Sequence, residues 1–144
     1  MLKLRFAKLR EDTKLPYRAS ETAACYDCFC PDDVAVQPGE TKLIPLNFAV
    51  ECPDGYKLCV YNRSGLGKKG LVLPNGVGII DHDYRGNVGI LITNMSGSEY
   101  KFTAGDRICQ IALEKVNEFE FEVVDYSELT ETERGTGGFG HSGK

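Results

Sequence analysis

The chain has no tryptophan, only two methionines and two histidines, and no apolar run that approaches the length of a membrane span. The last absence argues against a helical membrane protein. There is no excess of positive charge either: 17 Lys+Arg stand against 21 Asp+Glu, for a net charge of -4. A mildly acidic chain is a poor match for a broad basic surface on nucleic acid. The opening Met1-Leu-Lys-Leu-Arg-Phe-Ala-Lys alternates charge with apolar residues and lacks a continuous apolar stretch, so it does not read as a signal peptide. A reducing cytoplasm is therefore expected, with the six cysteines as thiols. Cys25-x-x-Cys28-x-Cys30 resembles half of a zinc site, but the other half is missing. Cys52, Cys59 and Cys109 are scattered singly, and His82 and His141 stand alone. The cysteines read as small buried side chains.

What is present is glycine and alternation. Of 16 glycines, seven lie between Gly65 and Gly89 and five between Gly135 and Gly143. Such clusters mark tight turns or backbone that approaches something closely. Leu2, Leu4 and Phe6 alternate with charge. Leu46, Phe48, Val50 and Cys52 share one parity, as do Tyr56, Leu58 and Val60, and Val88, Ile90 and Ile92. Phe119, Phe121 and Val123 alternate with Glu118, Glu120 and Glu122. Period two is the mark of half-buried strands. Turn pairs separate the runs: Pro38-Gly39, Asp54-Gly55, Asn75-Gly76, Arg85-Gly86, Ser96-Gly97 and Ala104-Gly105. Helix signals are thin, with one short turn expected at Ser64-Gly-Leu-Gly. At 144 residues this is one domain's length. The expectation is an all-β domain over residues 1–133, a sandwich, jelly roll or barrel, with a glycine-rich arm over 134–144.

Three segments carry polar groups that strands alone do not require. Asn62-Arg63-Ser64-Gly65-Leu66 offers a guanidinium fork, a hydroxyl and glycine-flanked amides, which is equipment for phosphate. The stretch from Asn75 through Asp81-His82-Asp83-Tyr84-Arg85-Gly86 holds two carboxylates, a phenol and an amide. On a hairpin Asp81 and Asp83 would share a face and could hold a metal or supply a base, or they could be a polar tip. The arm, Arg134-Gly-Thr-Gly-Gly-Phe139-Gly-His-Ser142-Gly, sets a cation and one ring among glycines, as a nucleotide would need. Gly65-Leu-Gly-Lys-Lys-Gly70 and Gly138-x-x-x-x-Gly143-Lys144 mimic nucleotide-binding fingerprints, but neither opens the long helix those motifs require. Residue chemistry by itself reads as a β protein that binds nucleotide phosphates.

The order of these segments resembles the trimeric deoxyuridine triphosphatase (dUTPase) family. Its five motifs have counterparts in Ala23-Ala24-Cys25-Tyr26-Asp27, Arg63-Ser64-Gly65-Leu66, Asn75 through Gly86, Gly105-Asp106-Arg107-Ile108-Cys109-Gln110, and Arg134 through Gly140. Departures are Cys25 for glycine, Asn62 for proline, Cys109 for alanine, and His141-Ser142 for Ser-Thr. None removes a group the chemistry needs.

The resemblance implies a jelly-roll-like β-barrel or sandwich. It also implies a homotrimer whose shared active sites are closed by a flexible glycine-rich C-terminal arm. It implies hydrolysis of dUTP to dUMP and pyrophosphate by water attack on the α-phosphorus, keeping uracil out of DNA and supplying dUMP for thymidylate synthesis. Asp81 would be the general base. Asn75, Ile79, Tyr84, Gly89 and Phe139 would bind uracil and deoxyribose. Arg63, Ser64, Gly65, Gln110, Arg134 and Ser142 would bind phosphates, and Asp27 would hold Mg²⁺ through water. Neither nucleic acid nor membrane is an expected partner. A dCTP deaminase would share the fold, but it would need a glutamate base and not this arm.

Overall fold

Period-two apolar segments need a neighbouring strand and a core to face, and eleven segments of the described chain find a partner strand. The computed structural model describes residues 2–139. The strands are β1 (Arg5–Lys8), β2 (Tyr26–Phe29), β3 (Val34–Val36), β4 (Thr41–Pro45), β5 (Phe48–Glu51) and β6 (Tyr56–Tyr61). They continue as β7 (Leu71–Val72), β8 (Gly78–Ile80), β9 (Gly89–Asn94), β10 (Tyr100–Phe102) and β11 (Arg107–Lys115). A helical turn, α1 (Ser64–Gly67), joins β6 to β7 at the expected place, and a 3₁₀ turn spans Tyr126–Glu128.

Every strand pairing among the described residues is antiparallel. A four-stranded sheet runs β2-β11-β6-β8 and a three-stranded sheet runs β4-β9-β7, with two-stranded pairs β1-β5 and β3-β10. The all-β, jelly-roll-like expectation holds, with open sheets rather than a closed barrel among the described residues. No described helix is long and apolar enough to cross a membrane.

The parities sort as expected in the centre. On β9, Ile90 and Ile92 point into the core while Leu91 faces out, and Val88 just before it is fully buried. Leu46, Phe48, Val50 and Cys52 are all buried. Each such aliphatic or aromatic side chain contributes roughly 1.5–3 kcal/mol when removed from water. β6 departs from simple alternation: Leu58, Cys59 and Val60 are all buried, so both faces of this inner strand are covered. Phe6 stacks on Phe48 across β1 and β5, with ring centroids 4.7 Å apart.

One expected strand does not form within the chain. Phe119, Phe121 and Val123 are 74%, 86% and 94% exposed, and their segment has no strand partner among the described residues. Alternation marks a strand's two faces, but it cannot supply the edge that the strand pairs with.

The six cysteines are free thiols, five of them buried. Cys28 and Cys109 face each other across β2 and β11, and the hydrogen bond between them, reinforced by burial, raises the Cys109 thiol well above its ordinary pKa. Cys25 is not in the left-handed region, so a cysteine where the resemblance led one to expect glycine introduces no backbone strain.

Candidate active site

β8 and β9 build one half of the site. Leu73 leads into a tight turn in which the Gly76 amide donates to the Leu73 carbonyl at 2.9 Å. Gly76 takes a φ of +72, a conformation that glycine adopts without cost. This turn carries Asn75 to the mouth of a cavity of about 360 Å³. Asn75, Ile79, Tyr84 and Gly89 all line it, against an apolar wall that includes Val60, Leu43 and Pro45. Close packing fixes the two glycines. A side chain at Gly78 would meet Val60 Cβ at 3.1 Å, and one at Gly89 would meet the Ile44 carbonyl at 3.2 Å.

Asp81 and Asp83 do not alternate on a hairpin strand. β8 stops at Ile80, and residues 81–84 form a turn closed by the Tyr84 amide on the Asp81 carbonyl at 3.2 Å. The same-face argument therefore fails, and Asp81 is an exposed carboxylate directly after the cavity wall. His82 pins this turn from behind. Its Nδ1 lies 2.9 Å from the Cys52 carbonyl and its Nε2 3.4 Å from Asp54. Arg85 adds bonds to the carbonyls of His82 and Tyr84 at 2.7 and 3.1 Å.

The second half centres on Asp27. This carboxylate is 8% exposed, on β2 opposite Gln110 of β11. Arg63 Nε approaches it at 3.2 Å and Arg107 Nη1 at 3.0 Å. Arg63 Nη1 also donates to the Arg107 carbonyl at 2.9 Å. The carboxylate raises the Arg107 pKa further, chiefly through that hydrogen bond. Ser64 and Gly65 occupy the first turn of α1, where amide N–H groups have no intrahelical partner. Gln110 Nε2 donates to the Asn62 carbonyl at 2.8 Å. Asn62 fixes the approach to Arg63 by bonding: its Oδ1 accepts the Arg63 amide at 2.9 Å and its Nδ2 donates to Leu71 O at 2.8 Å.

A single partly buried carboxylate shared by two guanidinium groups, with amides alongside, suits an incoming polyanion. Sequence reasoning quoted Arg107 within a motif but assigned it no role. The signal it lacked was the β2–β11 register, which sets Arg107 near Asp27. Among the described residues no group of three His, Cys, Asp or Glu side chains gathers to hold a metal. Asp27, the carboxylate expected to hold Mg²⁺ through water, is bonded here by Arg63 and Arg107.

The family model described as dUTPase matches residues 11–143. The chain belongs to the dUTPase family. A curated Deoxyuridine 5'-triphosphate nucleotidohydrolase from Hydrogenobaculum sp. is 43% identical over 144 residues, covering 99% of both chains. The Mus musculus protein of the same name is 39% identical over 141 residues, covering 98% of this chain and 85% of its own. Among solved structures, Staphylococcus bacteriophage 80alpha dUTPase with dUPNHPP superposes with a TM-score of 0.87 at 29% identity, covering 99% of each chain. A mutant dUTPase from phage phi11 of S. aureus, a structure reporting coordination of a structural Mg(II) ion, gives 0.79 at 27% identity, covering 88% of this chain and 99% of its own.

Among the described residues, the cavity lined by Asn75, Ile79, Tyr84 and Gly89 includes none of Asp27, Arg63, Ser64, Gly65 or Gln110. The described arm residues hydrogen-bond among themselves and to Thr132. Arg134 Nε donates to Gly137 O at 2.7 Å within the arm itself, and Phe139 is fully exposed with a φ of 50. Ser142 and His141 lie outside the described residues.

Proposed function

We propose that this dUTPase hydrolyses dUTP to dUMP and pyrophosphate in a homotrimer whose sites are shared between subunits. The observation that carries this reading is the division of equipment. A cavity that suits a base and sugar and a cationic cluster that suits phosphates draw on different residues of the chain. Two apolar surfaces support assembly. One is the unpaired face of Phe119, Phe121 and Val123. The other is a groove of about 600 Å³ lined in part by Leu2, Leu15, Tyr26 and Leu113. Patches of this kind mark interfaces.

In the proposed mechanism Asn75 pairs its amide with the uracil edge, aided by main-chain groups at Ile79 and Gly89. Tyr84 lies along the deoxyribose and leaves no room for a 2′-hydroxyl. Asp81 orients and deprotonates the water that attacks the α-phosphorus. Positioning is most of its contribution, because a carboxylate is a weak base. Arg63, Ser64, the Gly65 amide and Gln110 hold the triphosphate in line, and Arg107, through Asp27, keeps Arg63 in place. The arm, residues 134–144, closes from another subunit and brings Arg134 and Ser142 to the phosphates and Phe139 to the base. Asp27 is the residue that would hold Mg²⁺ through water, and the ion would supply neutralisation of charge on the leaving pyrophosphate. The reading extends to the enzyme's role, removing dUTP before it enters DNA and supplying dUMP for thymidylate synthesis. A cytoplasmic setting belongs to the same proposal, supported by the six free thiols.

The test is a substrate panel. With Mg²⁺ the purified protein should release pyrophosphate from dUTP and leave dCTP, dTTP and UTP largely untouched. Ammonia released from dCTP, or inertness toward every deoxynucleotide, would overturn the reading.

A further inference from the structure

We propose that Gly86 and Asn87 set the enzyme's preference for deoxyribose over ribose by fixing the pose of Tyr84. This rests on the reading that Tyr84 covers the sugar. The geometry behind it is a ring folded back over its own chain. Tyr84 Oη donates to the Asn87 carbonyl at 3.1 Å, three residues on, so its proton is committed inside the protein. To reach that carbonyl the phenol must cross Gly86. A Cβ built at Gly86 would overlap Oη and Cζ and lie 3.0 Å from Cε2. The missing side chain is therefore the seat of the ring.

The seat is itself anchored. Asn87 Nδ2 donates to Asn47 Oδ1 at 3.2 Å. Asn47 holds a left-handed φ of 59, which asparagine tolerates better than most residues. Its carbonyl accepts the Leu9 amide and the Thr13 hydroxyl, each at 2.9 Å. Tyr84 and Asn87 both line the cavity that also holds Asn75 and Ile79, and Tyr84 is 44% exposed. One surface of the phenol is thus pressed onto Gly86 while the rest stays open to a ligand.

This arrangement separates two ways of rejecting a ribose. A hydroxyl that reached the 2′ position could bond it. A ring clamped flat can only exclude it by shape, and its own hydroxyl proton is already donated to Asn87. Rejection of one extra group by a closely fitted pocket is worth about 10–200-fold. It depends on the ring having no freedom to swing aside. The atoms that a Cβ at Gly86 would strike are the far end of a side chain, so a methyl group there expels the ring and spares the backbone.

The experiment compares kcat/KM for dUTP and UTP in the parent, Gly86→Ala, Tyr84→Phe and Tyr84→Ala enzymes, each checked for folding by circular dichroism. Gly86→Ala should lower the dUTP:UTP ratio at least about tenfold, the lower end of what shape supplies. Tyr84→Phe keeps the ring and loses the tether, and should lower the ratio about fivefold, the effect of one neutral hydrogen bond. A folded Gly86→Ala enzyme with the parental ratio overturns the proposal. So does a parental ratio in Tyr84→Phe, should the alanine variant not fold. A parental ratio in Tyr84→Ala has a different meaning: Tyr84 is then not the sugar filter, and both the reading and this proposal fall.

Discussion

Replacing Asp27 by asparagine removes the one negative charge between two guanidinium groups and keeps the shape. The carboxylate meets Arg63 at 3.2 Å and Arg107 at 3.0 Å. At an effective dielectric of ~20 each contact is worth about 5 kcal/mol of gross attraction. Desolvation offsets most of that, and the carboxamide that replaces the carboxylate would still accept one charged hydrogen bond. The two arginine side chains are 25% and 41% exposed, so water screens the remainder further. A net loss of about 2 kcal/mol is the expected result, below the ~3–5 kcal/mol of a fully buried broken pair. For a domain of this size that lowers the melting temperature by roughly 5–8 °C. The diagnostic step is rescue. Pyrophosphate can supply the lost negative charge between the arginines, so it should raise the melting temperature of Asp27→Asn more than that of the parent. Differential scanning fluorimetry with and without pyrophosphate reads both effects. An unchanged melting temperature, or a pyrophosphate shift no larger than the parent's, would refute the idea that the charge of Asp27 holds these two arginines together.

Asp81→Asn should cut kcat by roughly 10²–10⁴-fold, the usual loss with a general base, while calorimetry finds a non-hydrolysable dUTP analogue still bound. Truncation after residue 133 should leave a trimer by light scattering and remove most activity, whereas Phe121→Glu should shift the protein toward smaller species. Phe139→Trp installs the chain's first tryptophan: its emission should be solvent-like alone and shift blue with the triphosphate analogue, and much less with the monophosphate form. Burial raises the Cys30 thiol to about 11 from 9.0. Folding therefore favours its protonated form, and its stabilising contribution, full below pH 9, should be lost as pH rises toward 11, by about 2–3 kcal/mol. Chemical denaturation across that range should show the decline, and Cys30→Ala should flatten it.

The strands at the centre of this protein were legible because burial on one face forces a period of two. Ile90 and Ile92 inward with Leu91 outward is that rule at work. Turns were legible through residues such as Gly76, whose positive φ few others adopt cheaply. The order of the five motifs pointed to the family from the sequence alone, since local chemistry along the chain survives without coordinates. Tertiary structure decided what those residues meet. That Arg107 shares Asp27 with Arg63 depends on the pairing of β11 with β2, residues 80 positions apart. That Asp81 and Asp83 sit in a turn depends on where β8 loses its partner β6. That Tyr84 rests on Gly86 depends on a hydrogen bond to a main-chain carbonyl, which no side-chain pattern records. The alternation of Phe119, Phe121 and Val123 states that an apolar face exists, and no strand among the described residues pairs with that segment. Periodicity is a property of neighbours along the chain, and a site is a property of neighbours in space.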